Sequence, residues 1–485
     1  MLPRAPSWLL ADIEKGRQLG ADFRKEVLGK NALAWDALAA KDPRAVPQEL
    51  LNEMNQRKFL RLWIPRALGG GGLSPLSYFA WSEEAARGCL GAANILGAHY
   101  FALGLISATD NLALLKRLVR EIKEGEHTGK PCFFSAAVTE PGAGTDLEDP
   151  ALIAQAQVCT RLHKENDWYI LDGSKQFISN ASFATWFVVT AFEDLKKPRD
   201  SVAILAVNKS TPGLRVGPPE KKWGQNICPA SPVYFENCIV LNENIAMNRE
   251  QFAGQKIFSQ AAENVLLDSL SLSRVGVAVM AAGAMQGALD LTFDEISRES
   301  NPKRIDSESV QAAIARLLGA VETWRERTRS LAEDICLSGP GRDLFSSWFH
   351  YAEKFRLSVL LSWTAGIFGK FVRESLRKRR GEFSFQNRKN FSAQGSLVKA
   401  GATEALQKNL TTSFELLGQR AARRGHNLEK ILRDGKLLQI YEGVNLINHM
   451  NAFNMLLGER LADFTPFADP SKPSDNFGPS SEVFH

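Results

Sequence analysis

The spacing of apolar residues changes twice along this chain, and that change limits the folds open to it. Up to about residue 130 the spacing is helical: Leu112, Leu115, Leu118 and Val119 recur at three and four, and Ala80, Glu83 and Glu84 lead into Leu96-Gly97-Ala98-His99. From about 131 to 245 the apolar runs become short and β-rich. Trp168–Leu171, Trp186–Ala191, Val202–Val207 and Val233–Phe235 are such runs, divided by Asp-Gly, Asn and Pro. Helical spacing returns near 250 and continues to about 461, with Val310, Ile314, Leu317, Leu318 and Val321 expected on one face. Strands and helices kept in separate blocks predict an α+β chain and not a doubly wound βαβ fold. The expected divisions are a helical domain over 1–130, a β domain over 131–248, a helical domain over 249–461, and a loosely ordered tail over 462–485 that holds four prolines.

A length of 485 residues, 44% of them hydrophobic, gives room for two or three domains around a large core. The charge balance of 59 Lys+Arg against 54 Asp+Glu leaves only +5, too mild over this length for a nucleic-acid partner. Cys89, Cys132, Cys159, Cys228, Cys238 and Cys336 include no C-x-x-C pair and read as reduced, mostly buried thiols. No two of the seven histidines fall within twenty residues of each other, so no metal spacing is present and no metal is expected. Asp12 and Glu14 precede any long apolar run, which predicts a cytoplasmic chain without a signal or transit peptide. No stretch reads as the ~20 apolar residues of a membrane span. Gly69 to Gly72 lie in a turn context before Leu73-Ser74-Pro75, and Gly129-Lys130-Pro131 lacks the spacing of a nucleoside-triphosphate loop.

Three segments carry chemistry. Gln439-Ile440-Tyr441-Glu442-Gly443 puts one carboxylate at the end of a loop between two apolar helical segments, which makes Glu442 a candidate base or a first-turn helix acid. Val138-Thr139-Glu140-Pro141-Gly142-Ala143-Gly144-Thr145-Asp146 offers closely spaced backbone N–H groups, hydroxyls and glycines, suited to embracing a planar cofactor and its phosphates, or to an ordinary turn. Lys175-Gln176-Phe177-Ile178-Ser179-Asn180 follows Trp168-Tyr169-Ile170-Leu171, and Phe177 alone reads as a strand core residue.

Together and in this order, the three segments resemble the acyl-CoA dehydrogenase family, over roughly Leu62 to Leu457. The resemblance implies a helical domain, a β-sandwich or barrel, and a C-terminal helical bundle. It implies FAD, with Val138, Thr139, Gly144 and Thr145 near the flavin and its pyrophosphate, Phe177 against the ring system and Ser179 near its N5. It implies α,β-dehydrogenation of an acyl-CoA thioester: Glu442 takes the α-proton, the β-hydride goes to the flavin, and the Glu442 backbone N–H helps hold the thioester oxygen. Burial of the carboxylate in an apolar pocket would raise its pKa toward neutrality. Arg274, within Leu270-Ser271-Leu272-Ser273-Arg274-Val275-Gly276, matches an arginine near the CoA portion, and Tyr441 and Gly443 flank the substrate. Arg298, Gly418 and Gln419 match contacts made with FAD across a subunit interface, which implies a homo-oligomer, a dimer or tetramer. The family's electron acceptor, an electron-transfer flavoprotein, is the expected partner.

Departures from the family pattern are equally visible. Arg298-Glu299-Ser300-Asn301-Pro302-Lys303-Arg304 stands where the family has Phe-Gly shortly after the arginine; Gln419 replaces a glycine; Val444 replaces a threonine. All three belong to the family's FAD contacts, and Lys303 and Arg304 are expected to offset the loss by reaching the pyrophosphate. Extra sequence between about Cys336 and Asn390 includes Trp348-Phe349-His350-Tyr351 and the basic run Arg377-Lys378-Arg379-Arg380. An elongated helical hairpin with a solvated end is expected there, with a CoA-phosphate or membrane-surface contact as the alternative. Two further functional readings keep the fold. One is an acyl-CoA oxidase or monooxygenase in which reduced flavin meets oxygen, and the other is a non-catalytic acyl-CoA-binding relative.

Overall fold

The computed structural model describes residues 5–148, 152–252, 255–298, 304–342 and 382–457, together with Lys378. Six helices come first: α1 (Ser7–Phe23), α2 (Gly29–Lys41), α3 (Gln48–Gln56), α4 (Pro75–Gly88), α5 (Leu90–Ala108) and α6 (Leu112–Thr128). Local chemistry sets their ends. Ser74 accepts from the Ser77 N–H at 3.3 Å, with Pro75 at the first helical position, and Asn111 accepts from the Leu114 N–H at 3.2 Å. Gly16 and Gly20 let α1 press onto α4: a Cβ at Gly16 would stand 2.0 Å from the Ser77 carbonyl oxygen. Leu114, Leu115, Leu118, Val119 and Ile122 form the buried stripe of α6 that the spacing predicts.

Eight strands follow: β1 (Phe134–Ala137), β2 (Arg161–Glu165), β3 (Trp168–Ser179), β4 (Trp186–Phe192), β5 (Val202–Asn208), β6 (Leu214–Val216), β7 (Ala230–Leu241) and β8 (Ile245–Met247). Their order is β6-β7-β3-β2-β4-β5-β8, with β1 pairing parallel to β4 off that path. The β3–β7 ladder breaks register between Lys175 and Ile178, which frees Phe177 from strand geometry. After the sheet the described residues form the helices α7 (Gln255–Ser297), α8 (Glu308–Ser338), α9 (Phe385–Leu417), α10 (Asn427–Leu437) and α11 (Asn445–Leu456). The α+β architecture of a helical layer, a sheet and a second helical layer is the one expected.

Several expectations meet the structure differently. Leu318 is 47% exposed, whereas Val310, Leu317 and Val321 are buried, because one residue past Leu317 turns about 100° around the helix. Two helices are long and apolar enough to cross a membrane by composition, Leu90–Ala108 and Ile257–Ser297, contrary to the reading of no such stretch. Small and polar residues interrupt both, which hides them from a search for an unbroken apolar run. They are 61% and 67% buried inside the protein, the pattern of core helices. Of the six cysteines all but Cys159 are buried, and none is paired. Trp348–Tyr351, Arg377, Arg379, Arg380 and the tail after 461 lie outside the described residues.

The junction of the three layers is polar and largely enclosed. Asp434 on α10 accepts from the Gln225 N–H at 2.5 Å and from Lys430, while the Gln225 side chain reaches the Asp434 carbonyl at 3.0 Å and the Tyr441 hydroxyl at 3.2 Å. Arg433 joins α10 to Asp36 on α2 at 2.7 Å, and Asn226 binds the other oxygen of Asp36 at 3.1 Å. Helix α10 is thus tied to both other layers, and the loop after it to Gln225 through Tyr441.

A second enclosed pair lies inside the β layer. Lys175 Nζ sits 2.7 Å from Glu140 Oε1, both side chains at 0% exposure, and also donates to the Val138 carbonyl at 3.0 Å. Glu140 accepts from the Cys159 and Thr160 N–H groups as well, so both its oxygens are satisfied. Burial opposes its ionisation, but Lys175 and these donors more than offset that and hold the carboxyl below its ordinary range. Breaking one member of such a pair leaves a buried charge uncompensated. We expect Lys175→Met to cost about 3–5 kcal/mol in denaturant unfolding monitored by tryptophan fluorescence; a loss below ~1 kcal/mol would show that the pair is not a structural tie.

Candidate active site

The loop from Leu438 to Val444 is short, and its backbone is unusual. Glu442 has φ 55° and Gly443 φ 79°, both left-handed. Glycine takes that geometry freely; glutamate does so at a cost of about 1–3 kcal/mol, and only where surrounding contacts hold it. Those contacts are specific. Arg274 Nε (α7) donates to the Glu442 carbonyl at 3.3 Å, Lys399 Nζ (α9) to the Gly443 carbonyl at 2.5 Å, and Asn448 Nδ2 (α11) to the same two carbonyls at 3.2 and 2.7 Å. Asn445 closes the loop by donating its N–H to the Gln439 carbonyl at 3.1 Å.

This clamp turns the Glu442 carboxyl toward α7, where Oε2 accepts from the Ser273 hydroxyl. Burial raises the pKa of Glu442, partly offset by Ser273, Arg274 and Lys399. The Glu442 backbone N–H donates to no acceptor among the described residues. A basic carboxylate and an unspent amide therefore sit on one residue.

A second carboxylate shares the space. Glu148 ends the turn that follows the Thr139–Thr145 loop, with its Oε2 3.8 Å from the Arg274 guanidinium. A Cβ on Gly443 would stand 3.3 Å from the same oxygen. Burial, and next the charge of Glu442, push the Glu148 carboxyl up to about 8. Burial likewise pulls Lys399 down to about 7. Arg274 is 1% exposed and reaches Ser396 at 3.0 Å, so it supports the loop from inside the bundle.

The cofactor segment is built beside this. The Gln176 N–H donates to the Thr139 carbonyl at 2.9 Å and Lys175 holds the Val138 carbonyl, which fixes the loop against β3. The Gly144 N–H donates to Asp146 at 2.6 Å, and a Cβ there would meet only the Thr139 methyl at 3.8 Å, leaving an open cradle whose far end is Thr145. Phe177 is left-handed at φ 59° and 57% exposed, a large ring surface with no cover at a strained position. Ser179 follows at the end of β3, its carbonyl accepting from Ser135 at 2.5 Å. An uncovered ring beside an open glycine cradle fits a planar flavin and its phosphates.

Val138, Thr139, Gly144, Thr145, Phe177 and Ser179 are thus neighbours, and Glu148 links their loop to Arg274, Glu442 and Gly443. Tyr441 is held by Gln225 and faces away from solvent. Arg298, Gly418 and Gln419 are elsewhere. Arg298 lies 24 residues beyond Arg274, ~36 Å of helical rise, and pairs with Asp294 at 2.7 Å. Gly418, with φ 66°, and the exposed Gln419 end α9, where Arg304 donates to the Leu416 carbonyl. Sequence reading passed over Ser273, Glu148, Lys399 and Asn448. Only Ser273, next to Arg274 in the same motif, carried a local signal.

Comparison with known proteins agrees with this geometry. Residues 12–126 match the acyl-CoA dehydrogenase N-terminal domain, 135–238 its middle domain and 383–455 its C-terminal domain, more than half of the chain between them. Cyclohex-1-ene-1-carbonyl-CoA dehydrogenase of Geobacter metallireducens is 29% identical over 446 residues, covering 91% of this chain and 98% of that one. The mitochondrial short-chain specific acyl-CoA dehydrogenase of Rattus norvegicus is 24% identical over 437 residues, covering 90% and 87%. Butyryl-CoA dehydrogenase from Megasphaera elsdenii shares the fold with a TM-score of 0.71 at 20% identity, covering 94% of this chain and all of that one. Fold and site define a flavoprotein oxidoreductase acting on a CH–CH bond, with FAD as cofactor. The chain belongs to the acyl-CoA dehydrogenase family.

Ser273 supplies a hydrogen bond that favours the ionised form of Glu442. Removing it raises the pKa of that carboxyl, so the acid limb of activity moves to higher pH. We expect Ser273→Ala to shift the limb up by about one pH unit, since 1.4 kcal/mol is one unit. The measurement is the pH profile of flavin bleaching by acyl-CoA; an unmoved or lowered limb would remove Ser273 from the role.

Proposed function

We propose that the chain oxidises an acyl-CoA thioester to its 2-enoyl thioester, with Glu442 as the base for the α-proton and an electron-transfer flavoprotein receiving the electrons. Glu442 carries the reading: it is a desolvated carboxylate with raised pKa, on a strained loop held by three helices, beside an amide free to donate. A thioester oxygen placed on that N–H has its developing negative charge stabilised, which acidifies the α-carbon next to the carboxylate. Bound FAD supplies the acceptor for the β-hydride. Gly443 keeps the backbone beside the base free of a side chain, and Arg274, Lys399 and Asn448 keep Glu442 in place.

Glu442→Gln keeps shape but cannot accept a proton. We expect it to retain FAD and to lose nearly all flavin reduction by acyl-CoA in stopped flow; a rate within about tenfold of wild type, ~1.4 kcal/mol of barrier, would sink the assignment. The substrate panel should span saturated straight-chain acyl thioesters and cyclohex-1-ene-1-carbonyl-CoA, for which one relative is named. Reoxidation of the reduced enzyme faster by air than by an electron-transfer flavoprotein would overturn the proposed acceptor.

We also propose that the protein works as a homo-oligomer. Arg298 and Gln419, which by resemblance contact FAD, stand about 36 Å along α7 from Arg274 and at the end of α9. Leu446, Met450 and Phe453 on α11, with Leu457 just past its end, leave an exposed apolar stripe, 36–70% accessible, and Ile440 is 53% exposed in the loop before it. We expect Leu446→Glu with Phe453→Glu to lower the sedimentation coefficient; a wild type that is already a fully flavinylated monomer would refute the proposal.

A further inference from the structure

Glu148 is a half-buried carboxylate, its side chain 17% exposed, that the dehydrogenation chemistry does not use. Its Oε2 accepts no hydrogen bond among the described residues, although it lies 3.8 Å from Arg274 and against Gly443. Glu442, by contrast, receives the Ser273 hydroxyl on its carboxylate. The charged groups facing Glu148 are Glu442 on the loop, Arg274 on α7, Lys399 on α9 and Asp146 on its own turn. Two like charges in a desolvated space do not both ionise at neutral pH, and the carboxylate with the better donors ionises first.

We propose that Glu148 is a positioning residue for the base: it holds the proton of the Glu148–Glu442 pair, so that Glu442 stands ionised beside Arg274. The inference rests on reading Glu442 as the base. Arg274 supplies one permanent positive charge, matched by one carboxylate. A neutral Glu148 adds no second negative charge where the acyl thioester enters, and as a protonated acid it retains a hydrogen-bond donor next to the Gly443 backbone. Above its own titration Glu148 gains a charge and changes the field at Glu442. The two carboxyls then have two ionisations belonging to the pair and not to either residue alone, beside that of Lys399, which is pulled down to about 7.

The test is infrared titration of the FAD-loaded protein labelled with carboxyl-13C glutamate, in wild type, Glu148→Gln and Glu442→Gln. Wild type is expected to keep a protonated-carboxyl band at pH 7 that disappears around pH 8. E148Q loses the band. E442Q keeps it but with its midpoint lowered by ~1 pH unit or more, because the like charge is gone. A band that survives in E148Q, or an E442Q midpoint equal to wild type, overturns the proposal. A kinetic arm excludes a merely structural role: the wild-type pH profile of flavin reduction has a second inflection near pH 8 that E148Q lacks, with the acid limb unmoved, whereas structural damage lowers the rate at every pH and keeps the inflection. Should E148Q fail to fold, wild type and E442Q still decide the matter. If no thioester bleaches the flavin in any variant, the base assignment fails while the infrared titration still reports on the pair.

Discussion

The left-handed backbone at Glu442 and Gly443 is the constraint on which the site depends. A glutamate at φ 55° is unfavourable in isolation, so the energy that holds it comes from outside the loop. Arg274, Lys399 and Asn448 spend donors on two main-chain carbonyls. Had the two cations been aimed at the carboxylate instead, the base would be a strong ion pair with a depressed pKa, poor at taking a proton from a thioester α-carbon. Donating to the carbonyls fixes position without neutralising basicity. It also leaves the Glu442 N–H without an acceptor among the described residues.

The β layer uses the same device for a different end. Lys175 and Glu140 are fully enclosed, and between them they fix the Val138 carbonyl and the Cys159 and Thr160 amides. The Gln176 N–H then takes the Thr139 carbonyl, so the next residue, Phe177, leaves the ladder with its ring outward. An exposed strained phenylalanine costs stability in the free chain; the ion pair two residues before it and the Gln176–Thr139 bond hold the loop that faces it. Both functional surfaces are therefore strained backbone resting on buried polar ties, as expected where geometry is retained for function.

How much of this was legible in the sequence follows from the range of the interactions. Segregated periodicities gave the three layers, since amphipathic spacing is local. Short motifs gave Glu442, the Thr139–Thr145 loop and Phe177, because loops that touch ligands use distinctive residue strings. Glu140 reads as part of the cofactor string, yet it is a structural anion: nothing local tells that Lys175, far along the chain, lies under it. Glu148, Lys399 and Asn448 had no signal at all. Each sits in an unremarkable turn or helix, and each becomes part of the site only through tertiary contact over separations that periodicity cannot see. Arg274 was legible as important, but its position inside the bundle, 1% exposed, makes it a support of the loop before anything else.

The departures from the family pattern gain meaning from the same geometry. Arg304 donates to the Leu416 carbonyl at the end of α9, next to Gly418 and Gln419. A helix end has unsatisfied carbonyls and a partial negative charge, which a guanidinium offsets. Arg304 therefore already stabilises the turn in which Gln419 replaces a glycine, and in doing so stands at the surface that the resemblance assigns to a neighbouring subunit's FAD. Arg304, six residues beyond Arg298, and the end of α9 meet there. Gln419 at the end of α9 is thereby set apart from the base, whereas Val444 belongs to the Glu442 loop itself, its carbonyl accepting from the Asn448 N–H at 3.0 Å.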